Sequence, residues 1–312
     1  MHERAISKEI ALEALAVSEG RGSAQKIIDL TTSLQETTAS TEETKSEFVD
    51  DDLDLLHTGT ILTPGLRWRL ESLNKMLGSL RRGDFGFLFA RPESGKTTFL
   101  ASEVTYFAGQ TDRPIIWFNN EEQGSKVAIR CYQAALGCTT QQLFINIAKS
   151  REEYLRLTGG RIKIYDSASI SKTDVARLCK QYGPALILFD QIDKLKGFDG
   201  DRDDLRLGAI YQWAREIAKE FAPVIAVTQA DGSGEGKKWL TMDNVSGAKT
   251  SKQAEADFII GLGKSHDEGL EYIRHINISK NKLLGDEDTD PTLRHGKRDV
   301  IIDPNIARYR DI

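Results

Sequence analysis

The sequence predicts an α/β fold: an open, mostly parallel central sheet flanked by helices on both faces. Three observations predict it. From about residue 61, continuously apolar runs alternate with segments of helical period, the order expected of parallel strands joined by crossover helices. The first such run, "FGFLF" (Phe85–Phe89), feeds directly into "ARPESGKTT" (Ala90–Thr98) and then into a helix, which is the context a phosphate-binding loop requires. The last apolar runs follow one another with no helix between, so an antiparallel edge is expected at the C-terminal end.

Residues 1–57 are expected to form a helical N-terminal extension with an acidic linker, and residues 58–312 the main domain. "KEIALEALAV" and "AQKIIDLTTSL" both carry helical apolar spacing and flank the breaker Gly20-Arg21-Gly22. "STEETKSEFVDDDLD" is acidic and poor in apolar residues, as an exposed linker is. The two helices have too narrow an apolar stripe to bury much alone and are expected to dock on the main domain or on a neighbouring subunit.

In the main domain the expected strands are Phe85–Ala90, Pro114–Asn120, Arg161–Ser167, Ala185–Gln191, Pro223–Gln229, Phe258–Ser265, Tyr272–Asn281 and Asp299–Asp303. Helices are expected at Lys96–Ala108, Lys126–Leu136, Thr173–Tyr182 and Leu205–Phe221.

Composition narrows the function. At 312 residues, 39% hydrophobic and 29% charged, the chain can bury a sizeable core. A net charge of −5 argues against a protein that coats nucleic acid over its whole surface, while leaving room for a local basic groove. Cys131, Cys138 and Cys179 show no CxxC pairing, which disfavours a disulfide framework or zinc module and fits a reducing cytosol. No stretch approaches the length of a membrane span and no secretory core is evident, so a cytoplasmic protein is expected. The five histidines have no metal-ligating spacing.

Four elements carry chemistry. In the stretch Ala90, Arg91, Pro92, Glu93, Ser94, Gly95, Lys96, Thr97 and Thr98, successive backbone N–H groups can wrap phosphates at a helix N-terminus. Lys96 would reach the β- and γ-phosphates and the Thr97 hydroxyl would ligate Mg²⁺. Ala90 stands where such loops usually begin with glycine, but it adds only one methyl at a strand end. "LILFD" closes a strand with Asp190, a second Mg²⁺ ligand if the two strands are neighbours. "FNNEEQG" offers Glu121 or Glu122 as the base that polarises an attacking water. Gln229, ending "VIAVTQ", could sense the γ-phosphate.

Together these elements resemble the RecA-type motor core, and more narrowly the DnaB-like replicative hexameric helicases, over about residues 58–312. "ARPESGKTTF" closely resembles that family's phosphate loop, in which Ala commonly holds the first position. "TGTILTPGLRWRLESLNKMLGSLRRGDFGFLFARP" resembles its leading segment, with a glycine-flanked helix before the first strand. "FNNEE…AIRCYQAALG" resembles its second motif, and counting back from the Arg130 helix places the catalytic glutamate at Glu121, with Glu122 as competitor. "DNVSGAKTSKQAEADFIIGL" resembles its fourth motif through Ser246-Gly247, Gln253 and Ala256-Asp257. "INISKNKLLGDED" resembles the segment that supplies basic fingers to a neighbour's γ-phosphate. Here Lys280 and Lys282 occupy the finger positions, and Lys282 stands where most relatives carry Arg. Lys lacks the planar fork of Arg, so either Lys282 does the task or an arginine such as Arg274 or Arg294 has taken it over.

The resemblance implies a RecA-like P-loop ATPase using ATP or another NTP with Mg²⁺. It implies a homo-oligomeric ring, a hexamer, that translocates on single-stranded DNA and unwinds duplex, with primase, polymerase or loader as partners. It implies DNA contacts from the loops after Asp190 and Gln229, where Lys196, Arg202, Lys237 and Lys238 are the candidates, with Trp239 available to stack a base. Neither a primase domain nor the larger helical N-terminal domain of bacterial members fits the first 60 residues, so a minimal helicase of a bacterial cytosol or a phage is expected. Two alternatives share the nucleotide chemistry: a RecA-type recombination or repair ATPase, and a nucleotide-dependent regulator or loader that does not unwind.

Overall fold

The computed structural model describes residues 2–23, 26–31, 52–60, 65–198 and 202–312. Two compact units divide at Met1–Leu62 and Thr63–Ile312. In the first, α1 (His2–Ser18) ends in a turn in which Arg21 and Gly22 both donate backbone N–H to Ala16 O, at 2.9 and 3.0 Å. Residues 26–31 are again helical, so the glycine pair does interrupt the helix as its sequence suggests. The remainder of "AQKIIDLTTSL" and most of the acidic stretch lie outside the described residues. The end of that stretch is not linker: α2 (Leu53–Thr60) begins at Leu53, with Asp54 in its first turn where it favours the helix dipole, and spans the expected boundary at 57/58.

The second unit is a nine-stranded sheet sandwiched between helices, in the order β3-β2-β4-β5-β1-β6-β7-β8-β9. A short helix, α3 (Glu71–Leu77), precedes β1 (Phe85–Ala90), and α4 (Lys96–Phe107) follows it. β2 (Ile115–Asn119) is followed by α5 (Gly124–Leu136), α6 (Thr140–Ile145) and α7 (Ile147–Thr158). β3 (Ile162–Asp166), α8 (Lys172–Tyr182), β4 (Leu186–Asp190), α9 (Asp203–Glu220) and β5 (Val224–Gln229) complete the crossover units. Then come α10 (Lys249–Glu255), β6 (Phe258–Gly263) and the antiparallel strands β7 (Ile273–Asn281), β8 (Lys297–Asp303) and β9 (Arg308–Asp311).

β1 is apolar throughout because both of its faces are covered. Phe85, Phe87 and Phe89 join Ile210, Tyr211 and Ala214 of α9 on one side, and Leu88 and Ala90 join Phe99, Leu100 and Val104 of α4 on the other. Trp68, fully buried, sets its ring edgewise against Phe107 at 5.3 Å and Phe258 at 6.0 Å. A Cβ on Gly86 would fall 2.4 Å from the Phe258 ring, so this approach of β1 to β6 requires glycine.

One expectation fails. β1 and β4 are not neighbours, because β5 lies between them and pairs with both. Five elements were not foreseen: α2, β9, α6, α7 and α10. Among the described residues, no helix is long and apolar enough to cross a membrane.

Candidate nucleotide-binding site

β1 carries the chain to Ala90 at the carboxyl edge of the sheet, and the loop then turns into α4. Gly95 adopts φ 98°, and a Cβ there would come within 2.6 Å of both Ile302 Cδ1 and the Tyr309 hydroxyl. Conformation and space both demand glycine at this position. The carbonyls of the loop are held from behind. Arg274 Nε donates to Ser94 O at 2.8 Å, and the Tyr309 hydroxyl donates to Gly95 O at 3.2 Å and Ser94 O at 3.4 Å. What remains free at the start of α4 is a set of N–H groups at the positive end of a twelve-residue helix.

Lys96 is buried, its ammonium folded back on Arg91 O at 3.2 Å and Ala90 O at 3.4 Å. Burial lowers its pKa, opposed by the carboxylates of Glu121 and Asp190. Thr97 Oγ1 donates to Asp190 Oδ2 at 3.3 Å. The first turn of α4 makes this contact by reaching across the end of β5, which is how Thr97 and Asp190 meet although their strands do not. Asp190 is fully buried, and its other oxygen has no partner among the described residues. Burial, then the nearby Glu121, pushes its pKa up to about 7. A hydroxyl beside an orphaned buried carboxylate oxygen is a donor set suited to a hard divalent cation that keeps most of its waters.

The two glutamates differ in their bonding. The loop after β2 is pinned by Asn119 Nδ2, which donates to Asp166 Oδ1 at 2.7 Å and Glu122 O at 2.6 Å. Glu122 is taken by Arg130 of α5, with Nη1 to Oε2 at 2.5 Å. Glu121 instead accepts from Gln191 Nε2 at 2.9 Å, and Gln191, directly after Asp190, holds a left-handed φ of 71°. Both glutamates, with Lys96, Thr97, Arg130, Arg274, Ile302 and Pro304, line a cavity of about 430 Å³. Pro92, Glu93, Gly95 and Thr98 line it as well.

Other sequence candidates lie elsewhere. Gln229 ends β5 in register with Ala90 but is not among the residues lining the cavity, and its carbonyl accepts from Ser246 N at 3.0 Å. Lys280 pairs with Ile259 and Asn281 with Phe258, the first residue of β6. β7 therefore delivers Lys280 and Lys282 towards the edge of the sheet opposite the phosphate loop. Lys280 Nζ bonds Gln253 O and Ala254 O, and Lys282 is exposed. Arg274 sits in the cavity of its own chain, while Arg294 donates to Asn281 O at 3.1 Å beside the lysine pair.

Of the candidates for DNA contact, Lys196, Arg202, Lys237 and Lys238 are all exposed. Arg202 commits its guanidinium to Asp204 at 2.7 and 3.0 Å, and Lys238 lies 3.6 Å from Asp267. The backbone of Lys196 is bonded to Ile170 and Lys172. Asp199 and Asp201 lie outside the described residues. Trp239 packs edgewise on His275 at 5.2 Å, with Lys297 over its ring.

Sequence reasoning missed Gln191, Ile302, Pro304 and Tyr309, and used Arg130 only as a landmark. Gln191 could have been found as the neighbour of Asp190 at the strand end, whereas Ile302, Pro304 and Tyr309 carry no local signal and reach the site through tertiary packing.

A family model described as the DnaB-like helicase C-terminal domain matches residues 65–268. The chain is similar to the replicative DNA helicase DnaB of Synechocystis sp., 30% identical over 200 residues, which is 60% of this chain and 23% of that protein. It is also similar to the DnaB of Buchnera aphidicola subsp. Acyrthosiphon pisum, 27% identical over 239 residues, 70% of this chain and 52% of that protein. It thus spans about a quarter and about half of the length of these curated relatives. Among solved structures, one ATPase domain superposes with a TM-score of 0.66 at 16% identity, covering 92% of this chain and 98% of that one. A DnaB-like replicative helicase studied with its primase superposes with a TM-score of 0.70 at 16% identity, covering 100% of this chain and 75% of that one. The fold is that of these two structures.

Proposed function

The chain belongs to the DnaB-like helicase C-terminal domain family, and on that premise we propose that it is the ATPase motor of a replicative DNA helicase, hydrolysing ATP or another NTP to translocate on single-stranded DNA and unwind duplex. One observation carries the reading: Lys96, Thr97 and Glu121 line a single cavity at the N-terminus of α4, and Thr97 is bonded to the buried Asp190.

In this reading the backbone amides at Gly95, Lys96 and Thr97 bind the β- and γ-phosphates, and Lys96 moves from the Ala90 and Arg91 carbonyls onto them. Thr97 and Asp190 hold Mg²⁺, which when bound neutralises charge developing on the phosphates. Glu121 is the base that orients and polarises the attacking water. Its rival Glu122 is already neutralised by Arg130, which favours Glu121. Arg274 adds a cation from the same chain, and Gln229 reports the state of the site to the loop that follows it.

Lys280 and Lys282 face away from their own cavity, so a role in hydrolysis requires a second copy of the chain. That supports a ring, a hexamer by family, with sites completed between subunits. Lys196 and Lys237 are the better placed to track a DNA backbone. Lys238, close to Asp267, is weaker, and Arg202, held by Asp204, is the weakest of the four. A primase is the partner described for one structural neighbour, and a primase, polymerase or loader is proposed here.

The experiment is nucleotide turnover with and without oligo-dT, together with unwinding of a forked duplex. Stimulated turnover and unwinding are expected, and Lys96→Ala should abolish both. Turnover that persists in that variant, or a wild type indifferent to DNA, sinks the reading.

A further inference from the structure

Lys252 is a lysine with no access to solvent. Its ammonium donates to Asp193 Oδ2 at 2.7 Å, Ser246 O at 2.9 Å and Thr228 Oγ1 at 3.1 Å, and lies 5.2 Å from the Tyr211 ring. Asp193 also accepts from Thr228 Oγ1 at 2.6 Å and the Tyr211 hydroxyl at 3.2 Å. The knot is fully satisfied. Lys252 is fully buried while the Asp193 side chain keeps 23% of its exposure, and an ion pair with one charge so desolvated is a poor source of stability, because apolar residues of similar volume commonly do as well or better. Its contribution lies in fixing which segments meet, and in what geometry.

The segments it joins are those of the candidate site. Asp193 belongs to the turn that begins at Gln191, whose amide holds Glu121. Thr228 immediately precedes Gln229, and Ser246, whose carbonyl Lys252 holds, donates its own N–H to Gln229 O. On the other side, Lys252 is carried by α10, and the carbonyls of the next two residues, Gln253 and Ala254, accept from Lys280. α10 is therefore a strut from the carboxyl edge of the sheet, where nucleotide would bind, to the edge where Lys280 and Lys282 are displayed.

We propose that Lys252 is a positioning residue for hydrolysis: seated between Asp193 and Thr228, it fixes the Gln191 turn and the Gln229 strand end against α10, and through α10 fixes Lys280. This rests on the reading of the cavity as a hydrolytic nucleotide site. Lys252 touches none of the reacting groups and acts only through the segments it binds.

The test removes both charges together, so that neither is left buried alone. Asp193→Asn with Lys252→Met keeps an acceptor for Tyr211 and Thr228 and a side chain of similar length at 252. Thermal midpoint and binding of a fluorescent ADP analogue should match wild type. KM should be unchanged, and kcat should fall about tenfold or more, the scale expected when reacting groups shift by a fraction of an ångström. Thr228→Val, which keeps both charges and removes only the bridging hydroxyl, covers the case in which the double variant does not fold. It should lower kcat several-fold at constant KM. A folded variant of either kind turning over at the wild-type rate overturns the proposal. Wild type run alongside separates the two failures: absence of turnover there removes the hydrolytic reading and this inference together, whereas active wild type with equally active variants removes this inference alone.

Discussion

Replacing Asp190 by Asn should stabilise the nucleotide-free protein at alkaline pH while destroying its activity. Asp190 is fully buried and carries one oxygen without a partner among the described residues, and burial raises its pKa from 3.8 to about 7. The unfolded chain ionises this carboxyl through pH ~4, but the folded chain keeps the proton until about pH 7, so between those values the folded state binds more protons and stability falls as pH rises. A rise of that size corresponds to about 4 kcal/mol at full development, of which roughly 2–3 kcal/mol accrues between pH 5 and pH 8. Asn at 190 does not titrate and still offers Thr97 an acceptor. Its amide N–H groups add a pH-independent desolvation penalty of about 1–3 kcal/mol, so the decisive quantity is the difference in slope and not the offset. For a domain of this size the variant's thermal midpoint should gain roughly 5–10 °C on wild type between pH 5 and pH 8. Differential scanning fluorimetry across that range measures it. Adding Mg²⁺ with nucleotide should then raise the midpoint of wild type and leave that of the variant nearly unmoved, because only wild type retains the carboxylate that favours the metal. Parallel pH profiles for the two proteins would refute the reasoning.

Glu121→Gln should retain nucleotide binding and lose turnover, whereas Glu122→Gln, whose carboxylate is already taken by Arg130, should keep kcat within several-fold; single-turnover kinetics on both variants decides between them. Titrating Lys282→Ala subunits into wild type should depress turnover more steeply than the fraction added, and strict proportionality would show that Lys282 does not act on a neighbour's site. Trp68→Ala removes a fully buried indole packed against Phe107 and Phe258, and should cost about 3–5 kcal/mol in denaturant unfolding without changing KM.

The parallel half of the fold was legible because most of its strands are buried on both faces and so read as unbroken apolar runs, with residues such as Ile115–Phe118 and Leu186–Phe189 leaving no polar alternation to misread; the edge strand β3, "IKIYD", is the exception. The candidate loop was legible for a different reason: Gly95, Lys96 and Thr97 stand together between an apolar run and a helix, a local pattern that shows in the sequence before the packing of Arg274, Ile302 and Tyr309 against it is known. The order of the strands was not written in any one segment. β5 inserts between β1 and β4 through contacts among residues far apart in the chain, and the reach of Thr97 across it follows only from the helix start. β9 escaped notice because it is four residues of an edge strand, "RYRD", in which Tyr309 alone is buried. α6 and α7 are held by polar caps more than by an apolar face: Thr139 and Gln142 form a capping box, and Asn146 caps the next helix. The acidic end of the linker became α2 because Asp54 stands in its first turn, where a negative charge favours a helix as readily as it favours solvent.

The region matched by the family model ends at residue 268, and that limit coincides with a division of labour in the structure. Lys96, Thr97, Glu121, Asp190 and Gln229 all lie within the match, on parallel strands and the loops at their carboxyl ends. Arg274 and Tyr309, which hold the carbonyls of the loop before α4, and Ile302 and Pro304, which line the cavity, lie beyond it, as do Lys280 and Lys282. The antiparallel strands therefore do two mechanical jobs with one piece of sheet. Their face towards α4 turns the Ser94 and Gly95 carbonyls outward, which is what leaves the amides pointing in. Because β7 runs against β6, the same strand that brings Arg274 to its own cavity must carry Lys280 to the opposite edge. A single antiparallel strand thus links Arg274, which lines the cavity, to Lys280 at the opposite edge of the sheet, and any shift of β7 along β6 would move both at once.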